Sequence, residues 1–210
     1  MPSLWAQCGQ DYAMSVRSIL RSAIQLDPVK PRLVLAGSST FRLWYDAQGF
    51  FTSYQVVNAG IGGSCFNDLL AYREALLLDT QPDVLAIYEG DNDLASGVPV
   101  DEIVRNAELL IAWFIIRTDG QVPVILVGPK PSPLHVPMAS KYKELNMRLK
   151  YLANKYHLSY VDTWPILCAA NGRPNPTYFK SDRLHLNARG NAQLARSMNA
   201  ELSRVRKPHL

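Results

Sequence analysis

The stretch Arg32-Leu33-Val34-Leu35-Ala36-Gly37-Ser38-Ser39 decides the fold, because a short, mostly apolar run without alternation ends at a glycine and two serines. An uninterrupted apolar run of this length is typical of a strand that is buried on both faces of a parallel sheet. We therefore expect the two serines to lie at the carboxyl end of a buried strand.

The same order of strand, turn and helix recurs along the chain. Residues 12–24 have the apolar spacing of a helix, which Asp27-Pro28 is expected to end, and Asp101 is expected to cap a later helix. Further short apolar runs predict four more strands, at residues 54–58, 83–88, 122–127 and 158–161. Helical stripes lie between them and after the last one, for example Leu69 to Leu77 and Tyr142 to Tyr156. This alternation predicts an α/β fold: a three-layer α/β/α sandwich around a five-stranded parallel sheet.

Length and composition indicate one globular domain over residues 1–210, in which residues 1–30 form an N-terminal helical extension. No apolar stretch reaches the 18 or so residues of a membrane-spanning helix, so no integral membrane segment is expected. Met1 to Cys8 lack the pattern of a signal peptide, which favours the cytoplasm. The net charge of +4 is scattered and forms no basic stripe, so nucleic acid is not an expected partner.

The three cysteines, Cys8, Cys65 and Cys168, show neither Cys-x-x-Cys spacing nor the spacing of a metal site. An odd number of cysteines in a chain of this composition favours reduced, structural thiols over a disulfide framework.

Asp182 and His185 stand three residues apart just before the last predicted helix. A histidine beside a carboxylate is the general base of a serine hydrolase, because the carboxylate fixes the imidazole tautomer and stabilises the imidazolium. The same tetrapeptide also fits a plain turn that leads into a helix with Asn187 as its N-cap. Asp182 and His185 indicate a catalytic pair only if a nucleophile lies upstream in the sequence.

Polar motifs follow the first three predicted strands: Gly37-Ser38-Ser39, Asn58 to Gly63, and Gly90 to Asp93. Together with the Asp-x-x-His motif, their order and spacing resemble the SGNH hydrolase superfamily, also called GDSL esterases and lipases. The resemblance implies the flavodoxin-like fold of those enzymes and an ester hydrolase with a Ser-His-Asp triad and no cofactor.

Each motif of the family places one residue of the expected site. The resemblance assigns the nucleophile to Ser39, the general base to His185 and its orienting acid to Asp182. It also implies an oxyanion hole formed by the backbone N–H groups of Ser39 and Gly63 and the side-chain amide of Asn92, groups that suit a developing negative charge.

The chain departs from the family at position 38, where a serine replaces the usual aspartate. The departure removes no member of the triad, because Asp182 is the orienting acid. It leaves Ser38 as an alternative nucleophile beside Ser39.

Two other interpretations of the polar motifs stay open. Residues 60–65 resemble a dinucleotide-binding loop, although Cys65 stands where Gly or Ala is usual. Residues 91–93 also fit a polar turn or a cation site, although no ligand set at metal-site spacing accompanies them. We expect no metal.

Three residues near the expected site are candidate substrate contacts: Tyr88, Tyr178 and His135. His157, at a predicted helix end, and His209, in the tail, have no expected role in the chemistry.

These features predict a serine esterase that hydrolyses acyl or acetyl esters of small alcohols, lipids or sugars. Its partner is then a small-molecule ester, and the sequence leaves the oligomeric state open. Two alternatives are an acyltransferase with the same triad and a non-catalytic binding module on the same fold.

Overall fold

The structure is a computed structural model that describes residues 8–24 and 30–205. The expectations placed on Met1 to Gln7, on Asp27-Pro28 and on His209 lie outside the described residues.

Five parallel strands form one sheet in the order β2-β1-β3-β4-β5. This architecture confirms the α/β fold expected from the sequence, and the strand order is that of flavodoxin-like folds. The strands are β1 (Arg32–Gly37), β2 (Gln55–Gly60), β3 (Val84–Tyr88), β4 (Val124–Val127) and β5 (Ser159–Val161).

Helices cover both faces of the sheet because alternate residues of each strand enter different cores. Val34 and Ala36 pack into one core, and Leu33 and Leu35 into the other. Helices on the first face are α1 (Ala13–Ile24), α4 (Phe66–Ala71), α6 (Val100–Arg117) and α7 (Ala139–Lys155). Helices on the second face are α2 (Ser39–Arg42), α3 (Ala47–Phe50), α8 (Thr163–Leu167) and α9 (Ala188–Val205).

Short elements complete the chain. Helix α5 (Asp91–Ala95) follows β3 directly. A π-helical turn covers Glu74–Leu78, and two 3₁₀ turns cover Val136–Met138 and Pro176–Tyr178. The helix expected over residues 69–77 is thus split between α4 and the π-helical turn.

The expected cap at Asp101 is wrong. Helix α6 begins at Val100 after Pro99, whose carbonyl accepts the N–H groups of Glu102 and Ile103. Asp101 lies in the first turn, and its carboxylate instead forms an ion pair with Arg148 of α7. The capping of α9 is as expected, since Asn187 Oδ1 accepts the N–H groups of residues 189 and 190 at 2.9 and 3.1 Å.

The expectation of reduced cysteines is also wrong, because Cys8 and Cys65 form a disulfide. The two residues are 57 positions apart, so no local spacing of cysteines predicts that they pair. Cys168 is a free, half-buried thiol. The disulfide ties the segment before α1 to the start of α4.

Two hydrogen bonds hold the same junction. The Gly9 N–H donates to Asp68 Oδ1 at 2.8 Å, and the Tyr12 N–H donates to the Tyr72 hydroxyl at 3.1 Å. Residues 8–12 of the N-terminal extension are therefore fastened to the sheet domain by a covalent bond and by two hydrogen bonds from backbone N–H groups to side chains.

Within residues 8–24 and 30–205, none of the helices combines the length and the apolar character needed to cross a membrane.

Candidate active site

The candidate site lies where the strand order reverses. The chain passes from β1 outward to β2 and then returns to β3 on the other side of β1. At such a switch point the loops after the two central strands separate and leave a crevice at the carboxyl edge of the sheet. Here these loops carry Ser39, after β1, and Asn92, after β3.

The three strands end level with one another. Gly37 pairs with Gly60 of β2 and with Tyr88 of β3. Only glycine fits at position 37, since its φ is +149° and an added Cβ would lie 2.0 Å from the Tyr88 carbonyl oxygen. This close approach lets the chain turn sharply, so that Ser38 is buried and Ser39 begins α2.

Ser39, His185 and Asp182 form a continuous chain of hydrogen bonds. The Ser39 Oγ lies 3.0 Å from His185 Nε2, and His185 Nδ1 lies 2.8 Å from Asp182 Oδ2. With the Nδ1 proton directed at the carboxylate, Nε2 is free to accept the serine hydroxyl proton. The structure thus brings together the three residues expected to form a triad.

The turn from Asp182 to His185 is held by the same carboxylate that contacts the imidazole. Asp182 Oδ1 accepts the N–H groups of Leu184 and His185, both at 2.9 Å, while Arg183 takes a left-handed φ of +61°. Partial burial alone would raise the pKa of Asp182. The two backbone hydrogen bonds and the His185 ring outweigh it and lower that pKa, so the carboxylate stays ionised.

Ser38 is poorly placed to act as the nucleophile. Its side chain is 1% exposed, and its hydroxyl has no hydrogen-bond partner among the described residues. Its N–H donates to the Tyr88 carbonyl oxygen at 3.1 Å. Ser39, by contrast, is half-buried and lines a cavity of about 420 Å³ together with His185.

Gly63 and Asn92 line that same cavity. Gly63 has a left-handed φ of +84°. One N–H of the Asn92 amide donates to the Ser64 carbonyl oxygen at 2.8 Å, which fixes the side chain and leaves its second N–H available. Ser39, Gly63 and Asn92, the three expected oxyanion donors, therefore meet at one cavity.

Buried acids support the loops behind the cavity. Glu89 is fully buried and accepts the Ser64 hydroxyl at 2.5 Å. Burial, reinforced by the charge of Asp93, raises the pKa of Glu89 well above its ordinary range. Asp93 Oδ1 accepts the Phe66 N–H at 3.1 Å. Burial raises the pKa of Asp93 to about 7, although backbone hydrogen bonds such as that from Phe66 oppose the shift.

Asp91 is buried but ionised. Its Oδ2 lies 2.6 Å from Lys130 Nζ, and both side chains are almost completely buried. Burial would raise the pKa of Asp91, but the Lys130 ammonium outweighs it and lowers that pKa. Asp91 and Asp93 thus make structural contacts on either side of Asn92.

The described part of the chain contains no group of three or more His, Cys, Asp or Glu side chains that could hold a metal ion.

Tyr88 cannot contact a substrate in this structure, contrary to the expectation. As the last residue of β3 its side chain turns into the core and is 0% exposed, beside Phe41. Its hydroxyl donates to Asp91. The position at a strand end indicated the correct edge of the sheet, but the register of the strand directs the ring inward.

The other two candidate substrate contacts do not line the cavity that contains Ser39. His135 lines a separate cavity of about 260 Å³ beside Tyr142 and Trp164, and its Nδ1 lies 2.6 Å from the Tyr142 hydroxyl. Burial lowers the pKa of His135. Tyr178 is half-buried, and its carbonyl oxygen accepts the Asn187 N–H at 3.0 Å.

Sequence reasoning missed several residues of the cavity. Tyr12 and Ser15, from the N-terminal extension, and Arg42, at the end of α2, all line it. Arg42 follows Ser39 by three residues, a helical spacing that could have indicated a shared face. Tyr12 and Ser15 reach the site only through the tertiary packing of α1.

The chain matches the model of a known protein family. A model of the GDSL-like lipase/acylhydrolase family matches residues 36–193, which include Ser39, Gly63, Asn92, Asp182 and His185. The chain belongs to the GDSL-like lipase/acylhydrolase family. The match begins after α1, so the residues that the N-terminal extension adds to the cavity lie outside the GDSL-like region. Curated protein sequences contain no match to the chain.

Solved structures share the fold of this GDSL-like chain. A protein from Streptococcus pneumonia, described as a candidate platelet activating factor, has 25% identity and a TM-score of 0.78 over 90% of this chain and 92% of that one. A GDSL-like lipase from Bacteroides thetaiotaomicron has 21% identity and a TM-score of 0.76 over 90% and 98% of the two chains. An acetylxylan esterase from Geobacillus stearothermophilus has 22% identity and a TM-score of 0.70 over 82% and 94%.

Proposed function

We propose that this protein is a serine esterase that hydrolyses acyl or acetyl esters of small alcohols, lipids or sugars through an acyl-enzyme. The observation that carries the proposal is the unbroken chain of hydrogen bonds from Ser39 Oγ through His185 to Asp182, at the wall of an open cavity. Membership of an acylhydrolase family supports the same chemistry.

In the first step Ser39 Oγ attacks the carbonyl carbon of the ester while its proton passes to His185 Nε2. The hydroxyl is a weak nucleophile until a base accepts that proton. Asp182, kept ionised by its hydrogen bonds, stabilises the imidazolium that results. The His185 imidazolium then gives the proton to the departing alcohol oxygen, and the acyl group remains on Ser39.

The negative charge of the tetrahedral intermediate falls on the former carbonyl oxygen. The N–H groups of Ser39 and Gly63 donate to no other described residue, and the free N–H of Asn92 faces the same cavity. Donors that are fixed before the reaction stabilise the oxyanion without reorganisation, and losing one such donor typically costs about 10²–10³-fold in turnover.

In the second step water replaces the alcohol as the nucleophile. His185 accepts a proton from the water and returns it to Ser39 as the acid leaves. The side chains of His185 and Asp182 are 22% and 46% exposed, so water reaches the site without a lid opening. The steps use only groups of this chain and require no cofactor.

Turnover of 4-nitrophenyl acetate tests the proposal. We expect the wild-type protein to hydrolyse the ester, and Ser39→Ala and His185→Ala each to lower kcat by at least about three orders of magnitude, because the triad acts as a unit. Ser38→Ala is the matched control. It removes a neighbouring hydroxyl that has no partner among the described residues, so it should keep most of the activity.

An inert wild-type protein that is folded by circular dichroism would contradict the esterase proposal and favour a binding module. Equal loss in Ser38→Ala and Ser39→Ala would contradict the assignment of the nucleophile.

A further inference from the structure

Two neighbouring cavities share part of their walls near the site. The cavity of about 420 Å³ that contains Ser39 and His185 shares Ser15 and Arg42 with a groove of about 620 Å³. One wall of the groove is α1, with Ser18 and Ser22, and the other wall comes from residues 44–48 and β2. Each of the two cavities is larger than an acetyl group requires.

Arg42 stands at the junction of the two cavities. It is exposed, and it follows Ser39 by one turn of α2, which places both residues near the same side of the helix. Residues 60–62 pack against it. A Cβ at Gly60 would lie 2.3 Å from the Arg42 backbone nitrogen, and one at Gly62 would lie 3.4 Å from Arg42 Cδ. This loop, whose glycines resemble a dinucleotide loop in sequence, thus packs against the Arg42 backbone at Gly60 and lies beside the Arg42 side chain at Gly62.

The guanidinium of Arg42 makes no ion pair and no hydrogen bond with the described residues. None of the described residues that line the two cavities carries a carboxylate. Within the described part of the cleft, no acidic side chain therefore neutralises the charge of Arg42.

Two amide side chains of the groove wall are already engaged. Asn58 donates to the Phe41 carbonyl oxygen at 2.7 Å and accepts the Gly60 N–H at 3.0 Å. Gln48 donates to the Tyr54 carbonyl oxygen at 2.9 Å and accepts the Val56 N–H at 3.0 Å. Arg42 is the charged donor among the described residues of the junction, and its planar fork matches a carboxylate or a phosphate.

Resting on the proposed esterase function, we propose that the protein prefers esters that carry an anionic group, a carboxylate or a phosphate, which pairs with Arg42 while the ester carbonyl lies at Ser39. The alcohol or the acyl part that bears this group extends into the groove between α1 and β2. Arg42 is a specificity-determining residue in this arrangement and takes no part in proton transfer.

The test compares charged and neutral members of matched ester pairs. The acyl arm uses 4-nitrophenyl hydrogen glutarate and its methyl-capped counterpart, and the alcohol arm uses 4-acetoxybenzoate and its methyl ester. We expect the charged-to-neutral ratio of kcat/KM in at least one arm to fall by about tenfold or more in Arg42→Gln, since a charge-assisted pair is lost. Arg42→Lys should keep part of the preference, and the wild-type preference should weaken at high salt.

Arg105→Gln is the matched control. Arg105 is an exposed arginine on α6 that lines neither cavity, and its replacement changes the net charge by the same amount. An unchanged ratio in Arg42→Gln in both arms, or an equal fall in Arg105→Gln, overturns the proposal and leaves the esterase function standing.

A binding measurement tests the anion site at Arg42 independently of the proposed esterase activity. Calorimetric titration of the Ser39→Ala protein with the same uncleaved esters needs no turnover. Tighter binding of a charged ester that is lost on adding Arg42→Gln supports the anion site even if the wild-type protein hydrolyses nothing. Equal binding of charged and neutral esters contradicts the anion site.

Discussion

Asp182 has two structural tasks, one for each carboxylate oxygen. Oδ1 closes the turn by accepting the N–H groups of Leu184 and His185, and Oδ2 faces His185 Nδ1. The first task holds the loop and the second fixes the proton on the imidazole. These tasks can be separated by an isosteric change.

Asp182→Asn should separate folding from activity. The amide oxygen can still close the turn, but the amide nitrogen faces Nδ1 as a donor and forces the proton onto Nε2, where it blocks acceptance of the Ser39 proton. We expect kcat to fall by about 10³–10⁴-fold with little change in Tm, as measured by ester turnover and thermal melting. Retention of activity within about tenfold of the wild-type value would contradict the role of Asp182.

Asp93 makes stability depend on pH. Its folded pKa of about 7 lies above the value of 3.8 for the free side chain. As the pH rises from about 4 to 7 the unfolded chain ionises while the folded carboxyl stays protonated, so the free energy of unfolding falls. The loss is at most about 4 kcal/mol for a shift of this size.

Asp93→Asn should remove the contribution of Asp93 to that pH dependence, while Glu89, whose pKa is also raised, keeps its own. The amide oxygen can keep the hydrogen bond from the Phe66 N–H, and the group does not titrate. Urea unfolding at a series of pH values from 4 to 7 is expected to give a flatter profile than that of the wild-type protein. Asp79→Asn, at an exposed carboxylate, is the control and should keep the wild-type slope. Identical slopes in all three proteins would count against a raised pKa at Asp93.

At the scale of residues, the sequence predicted which side chains form the candidate site better than it predicted how deeply each side chain is buried. Ser39, Asp182 and His185 occupy short motifs, and the fold brings them together. The burial of Glu89 and the inward turn of Tyr88 depend on strand register and on packing from distant elements, which no local pattern contains.

At the scale of elements, the N-terminal extension is part of the cavity. The Cys8–Cys65 disulfide and the hydrogen bond from Gly9 to Asp68 fasten the segment before α1. Tyr12, just before α1, then contributes to the wall of the cavity with Ser39. Residues 8–24 therefore help to form the site although they lie outside the region matched by the family model.

Loss of the disulfide should destabilise the protein. Closing a loop across 57 positions restricts the unfolded chain, and the entropy model gives about 4 kcal/mol as its contribution. We expect the double variant Cys8→Ala/Cys65→Ala to unfold at lower urea concentration than the wild-type protein. Dithiothreitol should lower the wild-type midpoint and leave that of the double variant unchanged.

Cys168→Ala is the control for that experiment, because Cys168 is a free thiol. It should respond to dithiothreitol as the wild-type protein does. A wild-type midpoint that is insensitive to the reductant would contradict a stabilising disulfide.

Element positions followed from apolar runs, whereas their ends did not. All five strands were predicted within a few residues because buried parallel strands have uninterrupted apolar sequences. The break between α4 and the π-helical turn, and the start of α6 after Pro99, depend on backbone hydrogen bonds that the periodicity of side chains does not specify.

At the scale of the whole molecule, the strand order creates the site. Placing β1 and β3 side by side with β2 beyond β1 aligns the ends of three strands, and the turn before α9 supplies His185 from the far end of the chain. The sequence predicted the layers and the parallel sheet from alternation, and the resemblance supplied the flavodoxin-like arrangement. The groove beside Arg42 was not predicted, because it forms between α1 and β2, which meet only in the folded chain.

The central claim is that Ser39 is a nucleophile activated by His185, and covalent labelling tests it most directly. The protein is treated with a fluorophosphonate, and the modified peptide is sequenced by mass spectrometry. We predict a single adduct on Ser39 in the wild-type and Ser38→Ala proteins, and much slower labelling in His185→Ala because the base is absent. An adduct on Ser38, labelling that does not depend on His185, or no adduct on the folded protein would contradict the claim.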